Sequence, residues 1–98
     1  MAGNFGSAFR AALPQKLGGL INVAMNQSAA VTPRLTATGP LLKHNRLVAW
    51  SLWPELPVEM SRFLSSVVRD GQRGRTTREK AARYLEDGAR LGLWERPA

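Results

Sequence analysis

Apolar residues recur at helical spacing along the chain. Residues 15–26 carry one such set at steps of three, one, three and one: Leu17, Leu20, Ile21, Ala24 and Met25. A second set follows Pro57 at the same steps: Met60, Phe63, Leu64, Val67 and Val68. Because residues three and four apart share one face of an α-helix, each set predicts an amphipathic helix with one buried stripe. We expect the second helix to end at Asp70-Gly71, where the glycine would take the left-handed conformation.

A third helix is predicted after a short turn rich in glycine and arginine. The segment Thr76-Thr77-Arg78-Glu79 has the S/T-x-x-E spacing of a capping box, so this helix should cover about residues 77–91. Four residues are expected on its inner face: Ala81, Tyr84, Leu85 and Gly88. Gly92 should end the helix, with Trp94 folding back as an apolar closure. The second and third helices would then form a hairpin over residues 57–94.

The stretch between the first two predicted helices lacks a sustained period. Residues 27–40 are rich in threonine and proline, which predicts an extended connector. Residues 41–53 hold large apolar side chains but are too few for periodicity to separate helix from strand, and we interpret them as a short helix. The sequence therefore predicts an all-α, extended small protein in two parts. Residues 1–40 would form a basic, acid-free amphipathic helix and connector, and residues 41–98 an apolar segment followed by the helical hairpin.

The composition argues against catalysis. The 98 residues include no cysteine and a single histidine, His44, so neither a disulfide framework nor a cysteine-based zinc site can form. The sequence offers no evident pairing of a nucleophile with a base, and residues 71–75 lack the GxxxxGK[ST] pattern of a phosphate loop. We therefore predict that the protein is not an enzyme and uses no cofactor, metal or small-molecule substrate.

Charge is distributed unevenly along the chain. There are 14 Lys and Arg residues against 7 Asp and Glu, and no acidic residue lies between Met1 and Pro54. An acid-free basic stretch is typical of mitochondrial import segments and also of ribosomal or nucleic-acid-binding arms, so both interpretations stay open. No window of about eighteen apolar residues predicts a transmembrane helix. We expect the protein to be soluble or to lie against a membrane complex.

Two groups of residues are candidates for partner binding. Charge is densest in the turn of the hairpin, where four arginines are the candidates for an anionic partner: Arg69, Arg73, Arg75 and Arg78. Arginine binds phosphate bidentately, so that partner would be ribosomal RNA or an anionic lipid headgroup, unless the turn is simply solvated. Apolar and aromatic residues on the helix faces and near helix ends are the candidates for packing against other protein subunits. They are Leu17, Leu20, Ile21, Trp50, Trp53, Phe63, Val67 and Trp94.

Four short segments resemble a known family. They are Leu20–Ser28, Pro33–Leu35, Pro57–Met60 and Thr76–Glu79. In this order they resemble the accessory subunit g of mitochondrial ATP synthase, an inner-membrane protein at the dimer interface of that enzyme. The transmembrane helix that ends this family is not matched here, because residues 81–94 contain four charged side chains: Arg83, Glu86, Asp87 and Arg90.

The resemblance implies a function without catalysis. The protein would be a structural accessory subunit of a mitochondrial inner-membrane energy-converting complex, either ATP synthase or the respiratory chain. It would lie peripheral to the inner membrane, with other protein subunits and anionic lipid headgroups as its partners. The alternative is a mitochondrial ribosomal protein that binds ribosomal RNA through the basic N-terminal half and the arginines of the hairpin turn.

Overall fold

Helices form the framework of the protein in the computed structural model, which describes residues 15–48, 50 and 54–96. The described helices are α1 (Gln15–Met25), α2 (Val31–Lys43), α3 (Asn45–Val48), α4 (Glu55–Arg69) and α5 (Arg75–Arg90). No strand occurs among these residues, so the predicted all-α class is confirmed. Helix α2 packs on α1 and α5, while α4 packs on α5 and α1. One apolar core therefore joins the four longer helices.

The apolar stripe of α1 faces this core, as its spacing predicts. Leu17, Ile21 and Ala24 are buried, and Leu20 and Met25 are partly buried in the same cluster. A helix of 11 residues that contains two glycines is marginal by itself in water. Complete burial of a leucine or isoleucine side chain contributes roughly 1.5–3 kcal/mol. Packing on the other helices therefore stabilises α1.

The predicted extended connector over residues 27–40 is wrong, because residues 31–40 belong to α2. Pro33 is the third residue of the helix, where a backbone N–H has no partner within the helix. Pro40 lies inside α2 and removes one backbone hydrogen bond. Burial compensates for that loss, since Leu35, Leu41 and Thr38 are almost fully enclosed. The spacing of three residues between them predicts a helix, and the proline and threonine content obscured it.

The prediction of a short helix over residues 41–53 is confirmed in part. Lys43 ends α2, and the four residues of α3 follow after a turn at His44. Val48 and Trp50 are buried in the core. Residue 49 and residues 51–53, which include the candidate Trp53, lie outside the described part of the chain.

Helix α4 ends where the sequence predicts, but for a different reason. The helix stops at Arg69, and the Asp70 backbone that follows is extended, with φ −80° and ψ 98°. The Asp70 carboxylate accepts a hydrogen bond from the Gln72 N–H at 3.0 Å, which shapes the turn. Gly71 does not take the left-handed conformation. An aspartate turn rather than a glycine cap therefore ends α4.

Helix α5 begins without the predicted capping box. It starts at Arg75, two residues early, and its N-cap Gly74 has no side chain that accepts a hydrogen bond. The Glu79 carboxylate instead accepts a hydrogen bond from Arg75 Nε at 2.7 Å. The inner face is as predicted, since Ala81, Leu85 and Gly88 are buried and Tyr84 is partly buried.

Gly92 ends α5 as predicted, in the left-handed conformation with φ +79°. The Gly92 N–H donates to the Ala89 carbonyl at 3.0 Å, and the Leu93 N–H donates to the Gly88 carbonyl at 2.9 Å. These two bonds define a Schellman motif. Trp94 then folds back over Gly88, where a Cβ atom would overlap the indole ring.

Candidate partner-binding surface

Seven of the eight residues predicted to pack against partner subunits lie instead in or against the core of this chain, and the eighth, Trp53, is outside the described residues. Five of them are buried: Leu17, Ile21, Trp50, Phe63 and Val67. Leu20 and Trp94 are partly buried against them, and the Trp94 indole N–H donates to the Leu85 carbonyl at 2.8 Å. A side chain that is enclosed by its own chain has no area left for a partner. The prediction is therefore corrected, because the two apolar stripes contribute to one shared core.

A buried arginine, which the sequence interpretation missed, connects three helices. Arg34 on α2 donates through Nε to the Ala24 carbonyl of α1 at 2.9 Å, and through Nη2 to Glu59 of α4 at 3.3 Å. Its guanidinium also lies 3.9 Å from the centre of the Phe63 ring. The burial of Arg34 could have been predicted from its position, which is four residues before Thr38 and seven before Leu41. This spacing places Arg34 on the buried face of α2. This cluster has a structural role.

The arginines of the hairpin turn are partly neutralised by neighbouring carboxylates. Arg73 Nε lies 3.3 Å from the Asp70 carboxylate, and Arg75 is paired with Glu79. Arg69 is exposed, and no carboxylate of a described residue lies within ion-pair distance of it. Arg78 is partly buried, and its Nε has no hydrogen-bond partner. The turn therefore offers less free positive charge than its sequence suggests.

A second cationic surface lies along the seam between α2 and α5, which run side by side in the same direction. One cleft of about 170 Å³ near their N-termini is lined by Thr32, Leu35, Thr36, Thr76, Thr77 and Lys80. Another of about 350 Å³ near their C-termini is lined by Leu42, Lys43, Tyr84, Asp87, Arg90 and Leu91. We call the two clefts together the α2–α5 groove.

Tyr84 occupies the middle of this groove. Its hydroxyl lies against Gly39 of α2, where the missing side chain leaves room for it. Lys80 Nζ lies 6.0 Å and the Arg83 guanidinium carbon 5.7 Å from the centre of the tyrosine ring. The sequence placed Tyr84 on the inner face of its helix but gave no sign that two cations lie near its ring.

The charge of the groove is largely uncompensated. Arg90 is paired with Asp87 at 2.7 Å. Among the residues that the structure describes, Lys43, Lys80 and Arg83 have no carboxylate within ion-pair distance. The groove therefore combines two unpaired cations, Lys43 and Lys80, with threonine hydroxyls and one aromatic ring, groups that bind anions and hydrogen-bond acceptors. Arg83 lines neither cleft but lies beside the Tyr84 ring as a third unpaired cation. In the same described part of the chain, no cluster of His, Asp or Glu side chains is suited to hold a metal ion.

Comparisons with protein families, with curated proteins and with solved structures found no match to this chain. The resemblance to subunit g of ATP synthase therefore stays a prediction. None of the described helices combines the length and the apolarity that a membrane crossing requires.

Proposed function

We propose that the protein is a non-catalytic accessory subunit that attaches to a larger assembly mainly through charge. The observation that carries this proposal is the contrast between its apolar and its cationic residues. The apolar stripes of α1 and α4 are enclosed in one core, whereas Lys43 and Lys80 line the groove and Arg83 lies beside its Tyr84, all without carboxylate partners. Complementary charge across an interface speeds the association of two proteins and disfavours partners of the wrong charge.

The assembly that we propose is a mitochondrial inner-membrane energy-converting complex, with the protein peripheral to the membrane. Two sequence features support it: the resemblance to subunit g and the acid-free N-terminal half. The buried ion pair between Arg34 and Glu59 joins two of the resembling segments, Pro33–Leu35 and Pro57–Met60. The arginine of the first segment and the glutamate of the second therefore have a shared structural role in this fold. Other protein subunits would be the partners, and anionic lipid headgroups could contribute at the membrane surface.

One observation favours a second candidate function, a mitochondrial ribosomal protein. The Tyr84 ring has two cations near it, Lys80 and Arg83. Proteins that bind single-stranded nucleic acids use such a combination for base stacking and phosphate contact. In that case the partner would be ribosomal RNA rather than protein.

The test is the size of the native particle that holds the protein. A tagged chain is expressed in cells, mitochondria are solubilised in mild detergent, and the extract is separated on a native gel before and after ribonuclease treatment. We expect co-migration with an energy-converting complex that ribonuclease leaves unchanged. Release by ribonuclease from a ribosomal particle would favour the second candidate, and migration as a free small protein would contradict both.

A further inference from the structure

We infer that the α2–α5 groove binds an extended acidic segment of a partner protein that carries an apolar side chain near one end. This inference rests on the proposed function and names the chemistry of the partner. The groove follows α5 from Thr76 to Leu91, which at about 1.5 Å per residue gives a length of roughly 20 Å. An extended peptide rises about 3.3 Å per residue, so roughly six residues fill it.

The charges of the groove select an acidic occupant. Lys43 of α2 and Lys80 of α5 line the two clefts, and Arg83 of α5 lies beside the Tyr84 ring, so cations contributed by both helices border the seam. The described part of the groove contains one carboxylate, Asp87, which is engaged by Arg90. An extended chain with glutamate or aspartate at alternate positions would meet these three cations while its backbone faces the threonine hydroxyls.

The larger cleft supplies the apolar end of the groove. Leu91 is 45% exposed there, and it lines the same cleft as the buried Leu42 and the partly buried Tyr84. The volume of about 350 Å³ leaves room for a large apolar side chain of the partner. Apolar anchors surrounded by polar or charged groups are the usual composition of protein interfaces.

Two other partner classes fit these observations less well. A nucleic acid strand carries a phosphate on every nucleotide and would bring one past the Asp87 carboxylate in the larger cleft, whereas a peptide can place its uncharged apolar residue there. A membrane surface would require an apolar face for insertion, but the large apolar residues that are exposed in the described part of the chain, Val23, Val58 and Leu91, come from three different parts of the fold. An acidic protein segment uses the cations and the apolar cleft together.

The test is fluorescence anisotropy with the full-length chain and two labelled peptides, one of glutamates alone and one of glutamates that ends in leucine. The groove variant is Lys43→Gln, Lys80→Gln and Arg83→Gln combined. Its matched control removes the same charge outside the groove, from Arg62 and from two arginines of the hairpin turn, which is the competing anionic site that the sequence indicates: Arg62→Gln, Arg69→Gln and Arg73→Gln. We expect the groove variant to weaken binding of the leucine-ended peptide roughly tenfold and the control to change it by about twofold or less.

A further variant tests the apolar end. Leu91→Ser should weaken binding of the leucine-ended peptide but leave binding of the all-glutamate peptide unchanged. Circular dichroism confirms that each variant is folded. Equal losses in the groove variant and its control would overturn the inference, because binding would then depend on net charge alone.

Oligouridine and vesicles that contain anionic lipid are the competing probes. Tighter binding of oligouridine than of either peptide, lost in Tyr84→Ala, would overturn the inference in favour of RNA. Tighter binding to the vesicles would overturn it in favour of a membrane. Failure of the proposed function is a separate result: the tagged protein would then be absent from any large native particle, whatever the peptides show.

Discussion

Replacing Arg34 by methionine should be among the most destabilising single changes in this protein. Methionine keeps an unbranched apolar stem, but the Ala24 carbonyl loses its donor, Glu59 loses its closest ion-pair partner and Phe63 loses a cation over its ring. Removing one member of a buried ion pair costs about 3–5 kcal/mol, and that figure already contains much of the hydrogen-bond loss. A domain of this size has a total stability of about 5–15 kcal/mol. We therefore expect Arg34→Met to remove a large part of the free energy of unfolding.

Urea unfolding followed by tryptophan fluorescence measures this effect as a lower midpoint with an unchanged slope. The control is Arg62→Met, because Arg62 also faces Glu59 but lies 3.9 Å from it and is 71% exposed. That change should cost less than about 1 kcal/mol. Adding Glu59→Met to Arg34→Met should restore part of the stability, because it removes the partly buried carboxylate that has lost Arg34. Equal midpoint shifts for the two single arginine variants would refute the role of Arg34.

The remaining predictions concern glycines and the C-terminal closure, and thermal melts monitored by circular dichroism check each of them. Gly88→Ala should destabilise by about 1–3 kcal/mol because its Cβ meets Trp94, whereas Gly18→Ala, with open space around it, should stabilise by up to about 1 kcal/mol. Gly92→Ala should cost about 1–2 kcal/mol because of its positive φ, and Gly71→Ala should change stability by less than about 0.5 kcal/mol. Trp94→Phe should cost about 0.5–1.5 kcal/mol through the lost indole hydrogen bond. A lower melting temperature for Gly18→Ala than for Gly88→Ala, or for Gly71→Ala than for Gly92→Ala, would contradict the packing described above.

Features that depend on neighbouring residues could be predicted from the sequence. The buried residues of α1 and α4 could be predicted correctly, because the spacing of apolar residues in an amphipathic helix directly marks its buried face. The end of α5 at Gly92 was also predictable, since a Schellman motif is made by residues within two turns. The helix α2 was missed because the burial that outweighs Pro40 comes from other helices.

Features that depend on contacts between distant segments could not be predicted. An apolar stripe is the same in sequence whether it faces a partner or another helix of its own chain, so Phe63 and Trp50 were assigned to an interface. Lys43 and Lys80 line clefts of the same seam only because the two helices run side by side. The arginines of the turn were easier to notice because they are adjacent in sequence, although Arg73 and Arg75 have carboxylate partners close by.

The central claim is that the protein joins a larger assembly through the α2–α5 groove, and site-specific photocrosslinking in intact mitochondria tests it most directly. A photoreactive residue replaces Leu91 in the groove, and a second version carries it at Val23, which is similarly exposed on α1. We predict that position 91 crosslinks to an acidic segment of a subunit of an energy-converting complex, and that position 23 gives little of this product. Crosslinks from position 91 to ribosomal RNA, or the same products from both positions, would contradict the claim.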